Sequence, residues 1–140
     1  CPILAELFYQ TVHGVGGQDY TPEQLDAWAD GQVDLAAWDS SFQAHTTLVA
    51  EWDGVIVGFA DLADGGYLDR LYVHRDYQRR GIAAALCDSL PDARLTHASL
   101  TARPFFKKRG WQVEREQQVE RHGVKLTNFV VIRKRSDGLL

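Results

Sequence analysis

The chain predicts an α/β domain of the α+β type: a mixed, mostly antiparallel central sheet flanked by helices. Three observations carry that expectation. Apolar residues recur at helical spacing in the first third of the chain, strand-like runs joined by tight turns follow, and a strand–helix–strand crossover sits in the middle. Such a crossover makes its two strands parallel and places a binding crevice near their carboxyl ends.

Ile3, Leu4, Leu7, Phe8 and Val12 share one helical face over residues 3–12, with Pro2 suited to a first turn. A loop with Gly14, Gly16 and Gly17 comes next. Thr21-Pro22-Glu23-Gln24 then reads as a helix start, with a Thr cap, Pro at the first helical position and Gln three residues after the cap, running to about Ala29. Asp34 caps a third helix that puts Leu35, Trp38 and Phe42 on one side. Residues 47–52 and 55–61 read as strands of a hairpin closed by Asp53-Gly54. A third strand covers residues 67–73, an apolar helix 81–90, a short strand 94–98, and a helix 101–109 stopped by Gly110. Residues 111–121 and 124–135 form a last hairpin across His122-Gly123, with a polar tail from about residue 134.

Composition narrows the function classes. At 140 residues the chain has the length of one domain, read here as residues 1–140. Fifteen Lys and Arg against 19 Asp and Glu give a formal charge of −4, without the basic footprint of a nucleic-acid binder. No apolar run reaches the ~18–20 residues of a membrane span, so no membrane partner is expected. Two cysteines, Cys1 and Cys87, make no disulfide framework and favour a reducing, cytoplasmic setting. The histidines show no metal-ligand spacing, and no metal is expected. The chain contains no methionine, which marks it as processed or part of a longer chain.

The chemistry concentrates between Tyr67 and Ala83. A strand carrying Leu71, Tyr72 and Val73 leads into the loop Gln78-Arg79-Arg80, and Gly81 opens a helix. Backbone N–H groups at a helix start lack intrahelical acceptors and carry partial positive charge, so this end suits a phosphate or pyrophosphate. Gly81 and Ala83 keep the approach clear of side chains, and the two arginines add charge.

This stretch resembles the acyl-CoA-binding motif of the GNAT N-acetyltransferase superfamily, (Gln/Arg)-x-x-Gly-x-(Gly/Ala) after a Leu-Tyr-Val strand. Downstream, Ser99-x-x-Ala102-x-x-Phe105-Phe106-x-Lys108-x-Gly110-Trp111 resembles the superfamily's Asn-x-x-Ala-x-x-Phe-Tyr-x-Lys-x-Gly-Phe segment. Residues 20–28, 98–106 and 127–129 resemble the bacterial YafP-like branch. The resemblance covers about residues 3–133. It departs from the pattern in three places. The superfamily's first strand would precede residue 1, the connection between Gly81 and Arg94 is short, and Phe106 stands where many members carry the Tyr that protonates the departing thiolate.

The resemblance implies acetyl-CoA as cofactor and a parallel strand pair, 67–73 with 94–98, that splays to admit it. Leu71, Tyr72 and Val73 would flank the pantetheine arm, and the N–H groups of Arg79, Arg80, Gly81, Ile82 and Ala83 would hold the pyrophosphate after Gln78. Ser99 and Phe106 complete the cofactor set. An ammonium must lose a proton before it attacks, so a base is required. Asp69 is the candidate; period-2 alternation sets it on the face of Leu71 and Val73. The acid stays open among Tyr20, Tyr72 and Ser99, and His97 is a base, a relay or a packed residue.

The expected activity is transfer of acetyl to the primary amine of a small molecule by direct attack on the thioester. The alternatives are acetylation of a protein or peptide amine, or a non-catalytic acyl-CoA-binding module. Association as a homodimer is left open.

Overall fold

A computed structural model describes residues 2–133. The last residues of the expected final strand, the polar tail and Cys1 lie outside them. Five helices and six strands follow in the expected order: α1 Pro2–Val15, α2 Pro22–Trp28, α3 Leu35–Ala44, β1 Thr46–Trp52, β2 Val55–Ala63, β3 Tyr67–Val73, α4 Ile82–Asp88, β4 Leu95–Ser99, α5 Arg103–Lys108, β5 Gln112–Arg121 and β6 Val124–Ile132. Short 3₁₀ turns at Gly16–Gln18 and Arg75–Tyr77 fall where the sequence reads as loop.

Local chemistry explains most boundaries. Thr21 and Gln24 form the expected capping box, each side chain bonding the other's backbone N–H. The Asp34 carboxylate accepts from the Ala37 N–H at the start of α3. Asp53-Gly54 and His122-Gly123 close their hairpins with φ of 52° and 81°, and 51° and 78°, the left-handed pairs of a two-residue turn. Helix α4 stops at Asp88 rather than near Leu90, because Pro91 disfavours helical geometry in the residue before it. Leu35 sits at the mouth of α3 and is 43% exposed, whereas Trp38 and Phe42 pack inward as expected.

The sheet order is β1-β2-β3-β4-β6-β5. Helix α4 covers one face, where Val57, Ala60, Leu68, Val73, Ile82 and Leu86 share a core. Helices α1 and α2 cover the other with Leu7, Phe8, Val12, Leu25 and Phe59. Each buried aliphatic side chain contributes about 1.5–3 kcal/mol to holding the layers together. Gly58 lets α4 approach closely, since a Cβ there would lie 3.2 Å from Ile82 Cγ2.

Two irregularities create the functional region. Strands β3 and β4 are parallel but pair only at Tyr67–Leu95 and Leu68–Thr96, then diverge. The Thr96 hydroxyl donates to Leu68 O at 2.7 Å, fixing the last paired point. On the other edge of β3, Arg70 pairs with Asp61 and Leu68 with Leu62, leaving Asp69 as the extra residue of a β-bulge.

Candidate active site

The bulge corrects one expectation. Leu68, Leu71 and Val73 turn toward the α4 core, whereas Asp69 opens with Tyr67, Arg70 and Tyr72 onto a cavity on the opposite side. Strict alternation would have put Asp69 beside Leu71 and Val73; the extra residue reverses its side. Asp69 and Arg70 thus face the same way although they are adjacent in sequence.

The divergence of β3 from β4 opens a groove of about 170 Å³, lined among others by Leu71, Tyr72, Val73, Gln78, Ala83 and Phe106. His74 N–H bonds Val57 O, so alternation aims the backbone groups of Leu71 and Val73 at the groove edge. The Val73 carbonyl accepts from Thr11 Oγ1 at 3.1 Å and Gln78 Nε2 at 2.6 Å. Gln78 therefore anchors the loop to the strand end.

At the groove's end, Arg79 has φ 62° and Gly81 φ 79°, both left-handed. Nothing lies within 4 Å of where a Gly81 Cβ would sit, leaving open space before the N-terminus of α4. The first helical bond is Ala85 N–H to Gly81 O, so the N–H groups from Gly81 to Ala84 have no intrahelical acceptor. Arg80 lies over the rings of Trp52 and Tyr77, at 5.3 and 5.1 Å. Ile82 is buried in the core, so its backbone is what remains for a ligand. A thin groove ending in bare N–H groups fits a long cofactor with an anionic head.

The second cavity, about 410 Å³, is walled by residues that include Asp30, Asp69, Arg70, His97, Arg121 and Asn128. Trp28, Tyr72 and Ser99 line both the cavity and the groove, so the two spaces meet there. Burial pushes the Tyr72 hydroxyl far above the usual phenol range, so it stays protonated. Tyr20 is also buried, and its hydroxyl donates to Thr127 O at 2.6 Å and accepts from Leu100 N–H at 2.8 Å. That hydroxyl joins the loop after β4 to β6, with both bonds inside the fold. Ser99 Oγ accepts from Ala102 N–H at 3.0 Å, bracing the start of α5. Phe106 is buried against Trp111, with ring centroids 5.0 Å apart. His97 packs edge-on against Tyr67 at 5.4 Å.

Behind Asp69 lies a cluster that the sequence reading missed. Asp61 is 0% exposed and bonds His45 Nδ1 at 2.7 Å. Arg70 Nη2 reaches Asp69 Oδ2 at 3.3 Å and Ser41 Oγ at 2.5 Å, and its Nε lies 3.7 Å from Asp61 Oδ1. The ligand atoms of His45, Asp61 and Asp69 lie within 4.8 Å of one another, but the Arg70 guanidinium already bridges the two carboxylates. A carboxylate in the otherwise apolar run of β2 was the available signal.

Comparison with known proteins agrees with this geometry. Residues 17–132 match the acetyltransferase (GNAT) domain. Over 129 residues the chain is 37% identical to the uncharacterised N-acetyltransferase YafP of Escherichia coli (strain K12), covering 90% of this chain and 84% of that protein. A GCN5-related N-acetyltransferase crystal structure from Rhodopseudomonas palustris superposes with a TM-score of 0.85 at 33% identity, covering 91% of this chain and 84% of that one. The yncA structure from Salmonella typhimurium, solved with acetyl-CoA, shares the fold at a TM-score of 0.65 and 20% identity, over 94% of this chain and 86% of that one. The chain belongs to the GNAT acetyltransferase family. It is an N-acetyltransferase, and acetyl-CoA is its cofactor. Among the described residues no helix is long and apolar enough to cross a membrane.

Proposed function

We propose that the chain acetylates the primary amine of a small molecule by direct attack on the thioester. The observation that carries this reading is the meeting of groove and cavity at Trp28, Tyr72 and Ser99, with Asp69 in the cavity wall. A cavity of about 410 Å³ is of small-molecule size.

Bound acetyl-CoA supplies an acylating carbonyl with a thiol leaving group. Leu71, Tyr72 and Val73 would hold its arm, with the Leu71 N–H available to polarise the thioester, and the N–H groups from Arg79 to Ala83 would hold its phosphates, with Phe106 and Ser99 lining the groove. Asp69 takes the proton from the acceptor ammonium, directly or through water. Tyr72, whose side chain stands at the junction, is the candidate proton donor to the leaving sulfur, and burial, which weakens it as an acid, keeps that assistance modest. Tyr20 fixes the junction's shape through Leu100 and Thr127 and acts as a positioning residue. A reducing, cytoplasmic setting suits the free buried thiol of Cys87.

Thiol release from acetyl-CoA, screened against small primary amines and against peptides with free N-termini or lysines, tests the proposal. Turnover with small amines supports it. Turnover confined to peptides transfers the assignment to protein acetylation, and binding of acetyl-CoA without turnover on any amine points to a non-catalytic module.

A further inference from the structure

Asp61 is fully buried in β2, and the mechanism above makes no use of it. An unpaired carboxylate at such depth is costly, so its partners are informative. They are His45, at the C-terminal end of α3, and Arg70 of β3. Both also face Asp69: Arg70 Nη2 lies 3.3 Å and His45 Nδ1 4.0 Å from the same Asp69 oxygen. Two carboxylates therefore share one guanidinium and one imidazole. Asp69 thus takes its place in the cavity wall beside two groups that Asp61 holds on their far side.

We propose that Asp61 is a positioning residue for the acceptor site: it holds His45 and Arg70 from behind, and through them fixes where the Asp69 carboxylate sits in the cavity wall. This rests on the reading of Asp69 as the base. The Arg70 guanidinium is clamped for the purpose, lying 4.8 Å from the Trp38 ring centroid and 4.4 Å from that of Phe42. Its shortest bond goes to Ser41 Oγ at 2.5 Å rather than to Asp69. Burial pushes the Asp61 carboxyl up, while the His45 hydrogen bond and the Arg70 charge oppose that. Besides these groups, Asp69 shares its cavity with Tyr67 and Tyr72 of β3, His97 of β4 and Arg121 of β5.

The test compares kcat and KM in the amine assay for the wild-type chain, Asp61→Asn, Asp69→Asn and the double variant. Asp61→Asn lowers kcat by roughly tenfold or more with KM for acetyl-CoA unchanged, and adds no further loss on top of Asp69→Asn. An unchanged kcat in a variant with wild-type circular dichroism, or a full further loss in the double variant, overturns the proposal. If Asp61→Asn does not fold, Asp61→Ser and Asp61→Glu take its place under the same two criteria. An unchanged acid limb of kcat/KM in Asp69→Asn overturns the base reading, whatever the Asp61 variants show.

Discussion

Asp69 Oδ2 and Arg70 Nη2 lie 3.3 Å apart although consecutive side chains on a regular strand point to opposite faces. The bulge against Asp61 and Leu62 brings them together. It brings a carboxylate and a guanidinium to one cavity wall and leaves Leu71 and Val73 on the side of the groove. The site is a consequence of one unpaired residue.

Gly81→Glu should abolish useful acetyl-CoA affinity. The position has φ 79°, strained for any other residue, and a carboxylate there faces the phosphates. Calorimetry should show affinity down by about a hundredfold, roughly 2.7 kcal/mol. Equal binding by a folded variant would remove the α4 turn from the cofactor site.

Tyr72→Phe should reduce kcat while leaving KM nearly unchanged. A thiol has a pKa near 8.5, so an acid assists its departure without being obligatory, and a loss of roughly tenfold to a hundredfold is expected. Steady-state kinetics with an accepted amine checks this. Full kcat in Tyr72→Phe would exclude the hydroxyl as donor.

Tyr20→Phe should cost stability rather than chemistry. It strands Leu100 N–H and Thr127 O, each of which loses its bond to the hydroxyl. The expected destabilisation is about 1–3 kcal/mol with kcat within a few-fold of wild type. A stable Tyr20→Phe with collapsed kcat would make Tyr20 the proton donor.

Alkaline pH should unfold the chain. Burial raises the pKa of Tyr20, Tyr67 and Tyr72 above the ordinary 10.0. The folded state keeps protons that the unfolded chain releases, so their contribution is complete below pH ~10 and is lost as pH rises through the folded values. Tyrosine ionisation at 295 nm should lag and then rise together with loss of circular dichroism. Complete ionisation near pH 10 in a folded chain would contradict the burial.

The fold was legible because its signals are local. The Thr21-Gln24 box, the Asp53-Gly54 and His122-Gly123 turns and the apolar periods each act within a few residues, and each element formed near its expected bounds. The Gln78-to-Ala83 loop was legible for the same reason. The acceptor side was not. Asp69 changed faces through a bulge set by register against β2, which no periodicity within β3 encodes. His45, Asp61 and Asp69 come from three elements and meet only through the sheet and the end of α3. Tyr20 could be named as a candidate, but its partners at Leu100 and Thr127 lie 80 and 107 residues away.

The proposed role of Asp69 is to remove the proton from an acceptor amine. The direct measurement is kcat/KM against pH for the wild-type chain and Asp69→Asn, using an amine that supports thiol release from acetyl-CoA. Asp69→Asn should be about 10²–10⁴-fold slower where the amine is protonated, and should lose the acid limb of the profile. A variant that binds acetyl-CoA normally, and turns over with wild-type rate and pH dependence, would contradict it.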